Sequence, residues 1–182
     1  MSLTLALKGL FRPLASCEDL MLLYAEHGSA DLLSALYERS ANDLYHFLLT
    51  LTDAGMAEEI SQRTWLRLME KRATYHAEGK FKAWLFTLAR HLLMDEWRAQ
   101  QRLTDELPEL SAPATDEQTD IQVLFNRALL ALPFTQREAF CLQQEGFSLS
   151  EIASITGSEQ ETVKSRLRYA KDHLKTLLRG HL

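Results

Sequence analysis

Four cations recur near the C-terminal end of the chain at intervals of three and four residues: Lys164, Arg168, Lys171 and Lys175. On a helical wheel they share one flank, while Val163, Leu167, Ala170 and Leu174 share the side that must be buried. Arg166 falls on the opposite flank, and Glu161, Ser165 and Tyr169 occupy the outward face between. The chemistry open to such a helix is recognition of a polyanion: Lys and Arg neutralise phosphates, and Arg, Lys, Ser and Gln reach base edges. From Gln160 to Leu182 six Lys/Arg stand against two Asp/Glu. A solvated basic face that complements a helix dipole has the same composition, so the stripe alone leaves both readings open.

No other group of residues suggests catalysis. His27, His46, His76, His91, His173 and His181 form no HxxxH or ExxH pair, and no Gly-rich phosphate loop is present. His91 and Asp95 share a helix face but lack a third ligand. Cys17 and Cys141 lie far apart in no CxxC pattern, which fits a reducing cytoplasm, and Cys141 sits in an apolar stretch that predicts burial. No catalytic residue, metal, cofactor or small-molecule substrate is expected.

The elements that must position the stripe are legible around it, in SLSEIASITGSEQETVKSRLRYAKDHL, Ser148 to Leu174. Thr135–Glu138 (TQRE), Ser148–Glu151 (SLSE) and Ser158–Glu161 (SEQE) each match the capping box, in which a hydroxyl and a Glu exchange hydrogen bonds with backbone N–H groups at a helix start. Gly157 supplies a left-handed helix end between the last two, and the small Ala153 lets the flanking helices cross closely. Two helices joined by so short a Gly turn predict a helix-turn-helix. Upstream, IQVLFNRALLALP from Ile121 carries Leu124, Arg127–Ala128 and Leu132 on one face and is stopped by Pro133.

From Asp19 to Gln101 the pattern is again helical. Leu32, Leu33, Leu36 and Tyr37 form one stripe, and Leu44, Phe47, Leu48 and Leu51 a second. Ile60, Thr64 and Leu68 follow, with Trp65 and Met69 beside them, and then Phe81, Trp84, Leu85, Leu88 and Leu92. Breaks are expected at Gly55 and Gly79. Between the two helical regions, residues 103–120 hold Asp105, Glu106, Glu109, Asp116, Glu117 and Asp120 with two prolines and no Lys or Arg, which reads as a solvated acidic linker. Across 182 residues the net charge is -5, the hydrophobic fraction is 46%, and Gly and Pro are few. The chain is therefore expected to be all-α. No apolar run approaches the roughly 20 residues of a membrane span, and the start, MSLTLALKGLF, reads as an amphipathic lead-in rather than a signal peptide.

These motifs, in this order, resemble the extracytoplasmic-function (ECF) sigma factors of bacterial RNA polymerase, within the sigma-70 class. AEEISQRTWLRLM and FKAWLFTLARHLLMDEWR are similar to the family's region 2, and LPFTQREAFCLQQEGFSLSEIASITGSEQETVKSRLRYAKDHLKTLL to its region 4. The resemblance covers Asp19 to Leu178. It implies two small helical domains, a region 2 bundle over 19–102 and a region 4 helix-turn-helix over 121–182. They would be joined by a flexible acidic linker over 103–120, after a lead-in over 1–18.

It also implies partners and roles. Region 2 would dock on the largest subunit of core polymerase through Glu59, Gln62, Arg63 and Arg67. It would recognise and melt the minus-ten element with Tyr75, Lys80, Lys82, Arg90, His91, Asp95 and Arg98. Region 4 would bind the second-largest subunit, and would contact the minus-thirty-five element of promoter DNA with Thr162, Lys164, Ser165, Arg166, Arg168, Tyr169 and Lys171. An anti-sigma factor is an expected partner, and the cytoplasm the expected location. The sequence departs from the family pattern at Glu59 (usually Asp), Arg63 (usually acidic), His91 (commonly Asn) and Tyr169 (often Arg). Taken without the resemblance, the same residues also fit a stand-alone helix-turn-helix regulator with a sensing or dimerising N-terminal domain, or a protein-interaction module that has lost DNA binding. From Ile121 onward only eight Lys/Arg face six Asp/Glu. Phosphate neutralisation by this part alone is therefore weak, and tight specific binding is expected to need the polymerase.

Overall fold

The computed structural model describes residues 16–76, 80–101 and 120–179. Among them the regular elements are all helical. Most of the acidic linker and of the N-terminal lead-in expected from the sequence, together with Gly79, lies outside the described residues.

The first group comprises α1 (Cys17–His27), α2 (Ala30–Leu49), α3 (Ala54–Lys71) and α4 (Phe81–Gln101), with a 3-10 turn, Arg72–Thr74, after α3. α1 begins earlier than the expected boundary at Asp19, because Ser16 and Asp19 form a capping box: the Asp19 N–H donates to Ser16 Oγ at 3.1 Å and the Ser16 N–H to Asp19 Oδ2 at 2.9 Å. The helix ends on Gly28 at φ 65°, where a side chain would be strained. Asp53 caps α3 by accepting from the Met56 N–H, so the break falls just before Gly55, which lies inside the helix. Leu20, Met21, Leu36, Leu44, Phe47, Ile60, Leu68, Leu85 and Phe86 fill the interior of this bundle. Each such side chain contributes about 1.5–3 kcal/mol relative to exposure. Tyr37 departs from its predicted stripe: it is half exposed, and its ring leans on Trp65 at 5.0 Å.

The second group comprises α5 (Asp120–Leu130), α6 (Phe134–Gln144), α7 (Leu149–Thr156) and α8 (Gln160–Arg179). Val163, Leu167, Ala170 and Leu174 are all buried, as the wheel requires, and α8 packs on α5, α6 and α7 through that stripe. The two groups also pack on each other through α4 and α7, so the buried side chains form one continuous core.

Candidate nucleic-acid interface

Two glycines set the geometry of the helix-turn-helix. α6 and α7 each end in a Schellman arrangement, with Gly146 at φ 88° and Gly157 at φ 62°. After α6 the Phe147 N–H donates to the Leu142 carbonyl at 3.2 Å and the Gly146 N–H to Gln143 at 3.1 Å. After α7 the Ser158 N–H donates to Ala153 at 3.0 Å and the Gly157 N–H to Ser154 at 3.4 Å. Gly146, in EGF before a capping Ser, carries the same sequence signal as Gly157, although only Gly157 was expected to act this way.

Of the expected capping boxes in this region, Ser148–Glu151 forms: the Glu151 N–H donates to Ser148 Oγ at 3.3 Å, and Glu151 Oε2 accepts from the Ser148 N–H at 2.8 Å. These bonds hold the Glu151 carboxyl below the usual range. The other two do not form. α6 starts at Phe134, with Pro133 in the cap position and no side-chain cap bond, and Glu138 turns inward instead. α8 starts at Gln160. The Ser158 hydroxyl accepts from Arg166 Nη1 at 2.8 Å, and the Glu161 carboxylate pairs with Lys164.

On the outer face of α8, Lys164, Arg168, Lys171 and Lys175 line one open groove of about 370 Å³ beside Leu149 of α7. Thr162 and Ser165 are exposed beside it. Arg168 lies over the Tyr169 ring, 5.0 Å from its centroid, and donates to its hydroxyl at 3.4 Å. Tyr169 is thus held beside a guanidinium while remaining half exposed. Arg166 alone of the predicted set braces the turn through Ser158.

On α3, Glu59, Gln62, Arg63 and Arg67 lie together on the surface, but their polar groups are largely engaged within the protein. Arg63 Nη1 bridges Glu59 at 3.2 Å and Glu96 of α4 at 3.0 Å. Arg67 pairs with Glu70, and Gln62 donates to Glu58. Arg63, acidic in the family pattern, is therefore locally neutralised. Leu66 and Met69 stand exposed on the same helix.

The residues expected to contact the minus-ten element divide. Tyr75, Lys80 and Trp84 wall a cavity of about 310 Å³ at the start of α4. His91, Asp95 and Arg98 are exposed further along, with Arg98 donating to Asp95 at 2.9 Å. Lys82 and Arg90 instead reach into the junction with the second group. Lys82 Nζ lies 3.0 Å from Glu145 Oε2 and 3.2 Å from Asp43 Oδ2, above the rings of Phe86 and Phe147. Burial pushes the Lys82 ammonium down, but the Glu145 and Asp43 carboxylates outweigh it and hold it above its ordinary value. Arg90 Nε lies 2.6 Å from Glu138 Oε1. Burial raises the Glu138 carboxyl, against the lowering effect of Arg90 and Arg166.

Phe86 meets Phe147 at 5.0 Å and Trp97 meets Phe134 at 4.8 Å, both edge to face. Along α4 the order is Lys82, Phe86, Arg90, Trp97; their partners Glu145, Phe147, Glu138 and Phe134 are met in roughly the reverse chain order. Sequence reasoning missed Glu138 and Glu145. The available signal was the alternation of Glu138 and Glu145 with Phe134 and Cys141 along one face, at intervals of four, three and four.

Residues 36–103 match the family described as Sigma-70 region 2, and residues 122–174 the family described as Sigma-70, region 4. The chain is 33% identical over 165 residues to the ECF RNA polymerase sigma factor SigL of Mycobacterium tuberculosis, covering 85% of this chain and 93% of that one. It is 29% identical over 156 residues to the ECF RNA polymerase sigma factor SigM of Bacillus subtilis, covering 80% of this chain and 94% of that one. Among solved structures, the sigma factor RpoE in complex with the anti-sigma factor NepR from Bartonella quintana superposes with a TM-score of 0.71 at 29% identity, over 82% of this chain and 98% of that one.

Proposed function

The chain belongs to the ECF group of RNA polymerase sigma factors, and from that premise we propose how its surfaces divide the work. As a sigma factor it directs core polymerase to promoters and assists strand opening. We assign it no catalysis of its own and a place of action in the cytoplasm.

The groove on α8 reads the minus-thirty-five element. Lys164, Lys171 and Lys175 contact phosphates, while Arg168 and Tyr169 meet base edges as a unit. A tyrosine ring offers apolar contact to a thymine methyl, and lacks the bidentate donors with which arginine selects guanine. The exposed strip of α3, with Leu66 and Met69 flanked by Glu59, Gln62, Arg63 and Arg67, docks on the largest subunit of core polymerase. The cavity at the start of α4 takes an unstacked base of the minus-ten element, with His91, Asp95 and Arg98 along the path of the strand.

Lys82 and Arg90 belong to the same DNA-facing surface, and in the packed arrangement Glu145 and Glu138 occupy them where phosphates would be. The two groups of helices therefore separate on joining the polymerase. An anti-sigma factor, the kind of partner that RpoE of Bartonella quintana has in its complex, is proposed to favour the packed form.

The single observation that carries this reading is the four-cation groove of α8, presented by a capped α7 and a left-handed Gly157 turn. The test is reconstitution with core polymerase. Start-site mapping on genomic DNA is expected to give transcripts preceded by one shared pair of elements. Failure to bind core polymerase, or initiation indistinguishable from core alone, would sink the reading.

A further inference from the structure

Glu18 lies on α1, outside the residues matched by the region 2 family. Its Oε2 accepts from the Tyr75 hydroxyl at 2.7 Å and from the Phe81 N–H at 2.8 Å. Phe81 opens α4, so the second bond meets one of the N–H groups at the positive end of that helix, and both bonds are charge-assisted. One carboxylate thus ties Tyr75 to the start of the helix it packs on. The Tyr75 ring stands edge-on to Trp84 at 4.9 Å and to Phe81 at 6.5 Å. Tyr75 and Trp84, with Thr74, His76, Lys80 and Thr87 of the first group and Ser154 of α7, wall the cavity of about 310 Å³; separation of the two groups would withdraw Ser154 and open the remaining walls, all from the first group, to a strand. Its aromatic walls suit a base face and its hydroxyl, imidazole and ammonium groups suit a base edge or phosphate.

We propose that Glu18 is a positioning residue for strand separation: it fixes Tyr75 against Trp84 and thereby shapes the cavity that takes one unstacked base of the minus-ten element. The proposal rests on the minus-ten reading given above. Glu18 does not touch the DNA. It acts through Tyr75: without the bond from its hydroxyl to Glu18, the ring is held less firmly against Trp84 and the cavity wall it forms shifts.

The test uses reconstituted holoenzyme and a library of fork-junction DNA whose minus-ten strand is single-stranded and randomised. Wild type is expected to select a base at one or more positions. Glu18→Ala is expected to flatten the preference at one position roughly tenfold, the scale of removing a hydrogen bond to a charged group, while affinity for core polymerase stays unchanged. Glu18→Gln keeps an oxygen that accepts both bonds and is expected to restore selection. Tyr75→Phe leaves the Phe81 bond intact and is expected to flatten the same position, which keeps the test open if Glu18→Ala misfolds. The proposal is overturned if Glu18→Ala or Tyr75→Phe selects as wild type does. It is also overturned if Glu18→Ala loses core binding and DNA binding in proportion with Glu18→Gln no better, the pattern of a merely structural residue. A wild-type holoenzyme that selects no base at any minus-ten position overturns the minus-ten reading itself, an outcome distinct from both.

Discussion

Arg90 and Glu138 face each other across the junction of the two helical groups, Nε to Oε1 at 2.6 Å, with the Glu138 side chain wholly buried and Arg90 mostly so. A carboxylate in that position is costly without its partner. The pair is flanked by Phe86 on Phe147 and Trp97 on Phe134, so its charges are shielded by aromatic edges on both sides. Shape and charge together fix how the groups meet.

Removing one partner is expected to loosen the junction. The cost of leaving a buried charge unpaired is about 3–5 kcal/mol, and separation lets the survivor rehydrate. Cys141 reports the event: it is buried in α6, it contacts Thr50 of the first group, and burial pushes its thiol up to about 11. In the wild type it should resist iodoacetamide at neutral pH. In Arg90→Ala, labelling measured by mass spectrometry should be at least about tenfold faster, well within that energy. Equal labelling of the two proteins would show that the pair does not hold the groups together.

The same carboxyl gives stability a pH dependence of known sign. Its folded-state value is raised, so just above the ordinary carboxylate range the folded protein holds a proton that the unfolded chain has released. Stability falls as pH rises through that window and recovers as pH is lowered. Asp19 and Glu151 act oppositely, since their folded values are lowered: their contribution is present above the ordinary range and lost as pH falls through those lowered values. The difference between wild type and Glu138→Gln isolates the first effect. Urea titrations at stepped pH should show it shrinking as pH rises through the window and level beyond it.

How much of this was legible depends on range. The stripe of α8, the Gly157 turn and the Ser148 box are local patterns, and local patterns survive in a sequence. Glu138 defeats the same kind of reading: TQRE satisfies the capping template, yet the helix starts at Phe134, with Pro133 in the cap position, and the carboxylate is claimed by Arg90, 48 residues earlier. Glu18 is further removed still, its partners Tyr75 and Phe81 lying 57 and 63 residues on. A spacing rule reaches one helical turn; which distant residues share a junction is decided by packing.

The α8 groove makes a quantitative claim about salt. On duplex DNA, removing a single cation–phosphate interaction lowers the slope of log affinity against log salt by about 0.9. Lys164→Ala with Lys171→Ala should weaken holoenzyme binding to a minus-thirty-five duplex and reduce that slope by up to about 2. Core affinity should not change, because neither side chain lies on the α3 strip. An unaltered slope would remove both residues from the DNA surface.

The Ser148 box is a purely structural device with a predictable worth. Ser148→Ala removes the oxygen that accepts from the Glu151 N–H and the hydroxyl bond to the Glu151 carboxylate, which keeps only its bond from the Ser148 N–H, at a cost of about 1 kcal/mol. Urea unfolding should show that destabilisation. Ser158→Ala should behave differently, since Ser158 serves Arg166 rather than a helix end. Its effect is expected to be smaller, and to appear in DNA binding if Arg166 swings out of its brace.

Leu66 tests the docking strip. It is 58% exposed on α3 next to Met69, at 43%, so neither contributes much to the fold. An exposed leucine is replaced at a cost usually within about 0.5 kcal/mol of neutral, and Leu66→Asp should therefore fold and unfold as wild type does. At a protein interface the same residue becomes buried against apolar neighbours, and a charge there forfeits that packing and adds a desolvation cost. Binding to core polymerase, followed by fluorescence anisotropy of labelled protein, should weaken by at least about tenfold, the threshold at which an interface residue counts in a truncation scan. Glu26→Ala, a well exposed residue of α1 outside this strip, serves as the control and should leave the affinity where it was. Equal affinities for Leu66→Asp and wild type would move the docking surface off this face of α3.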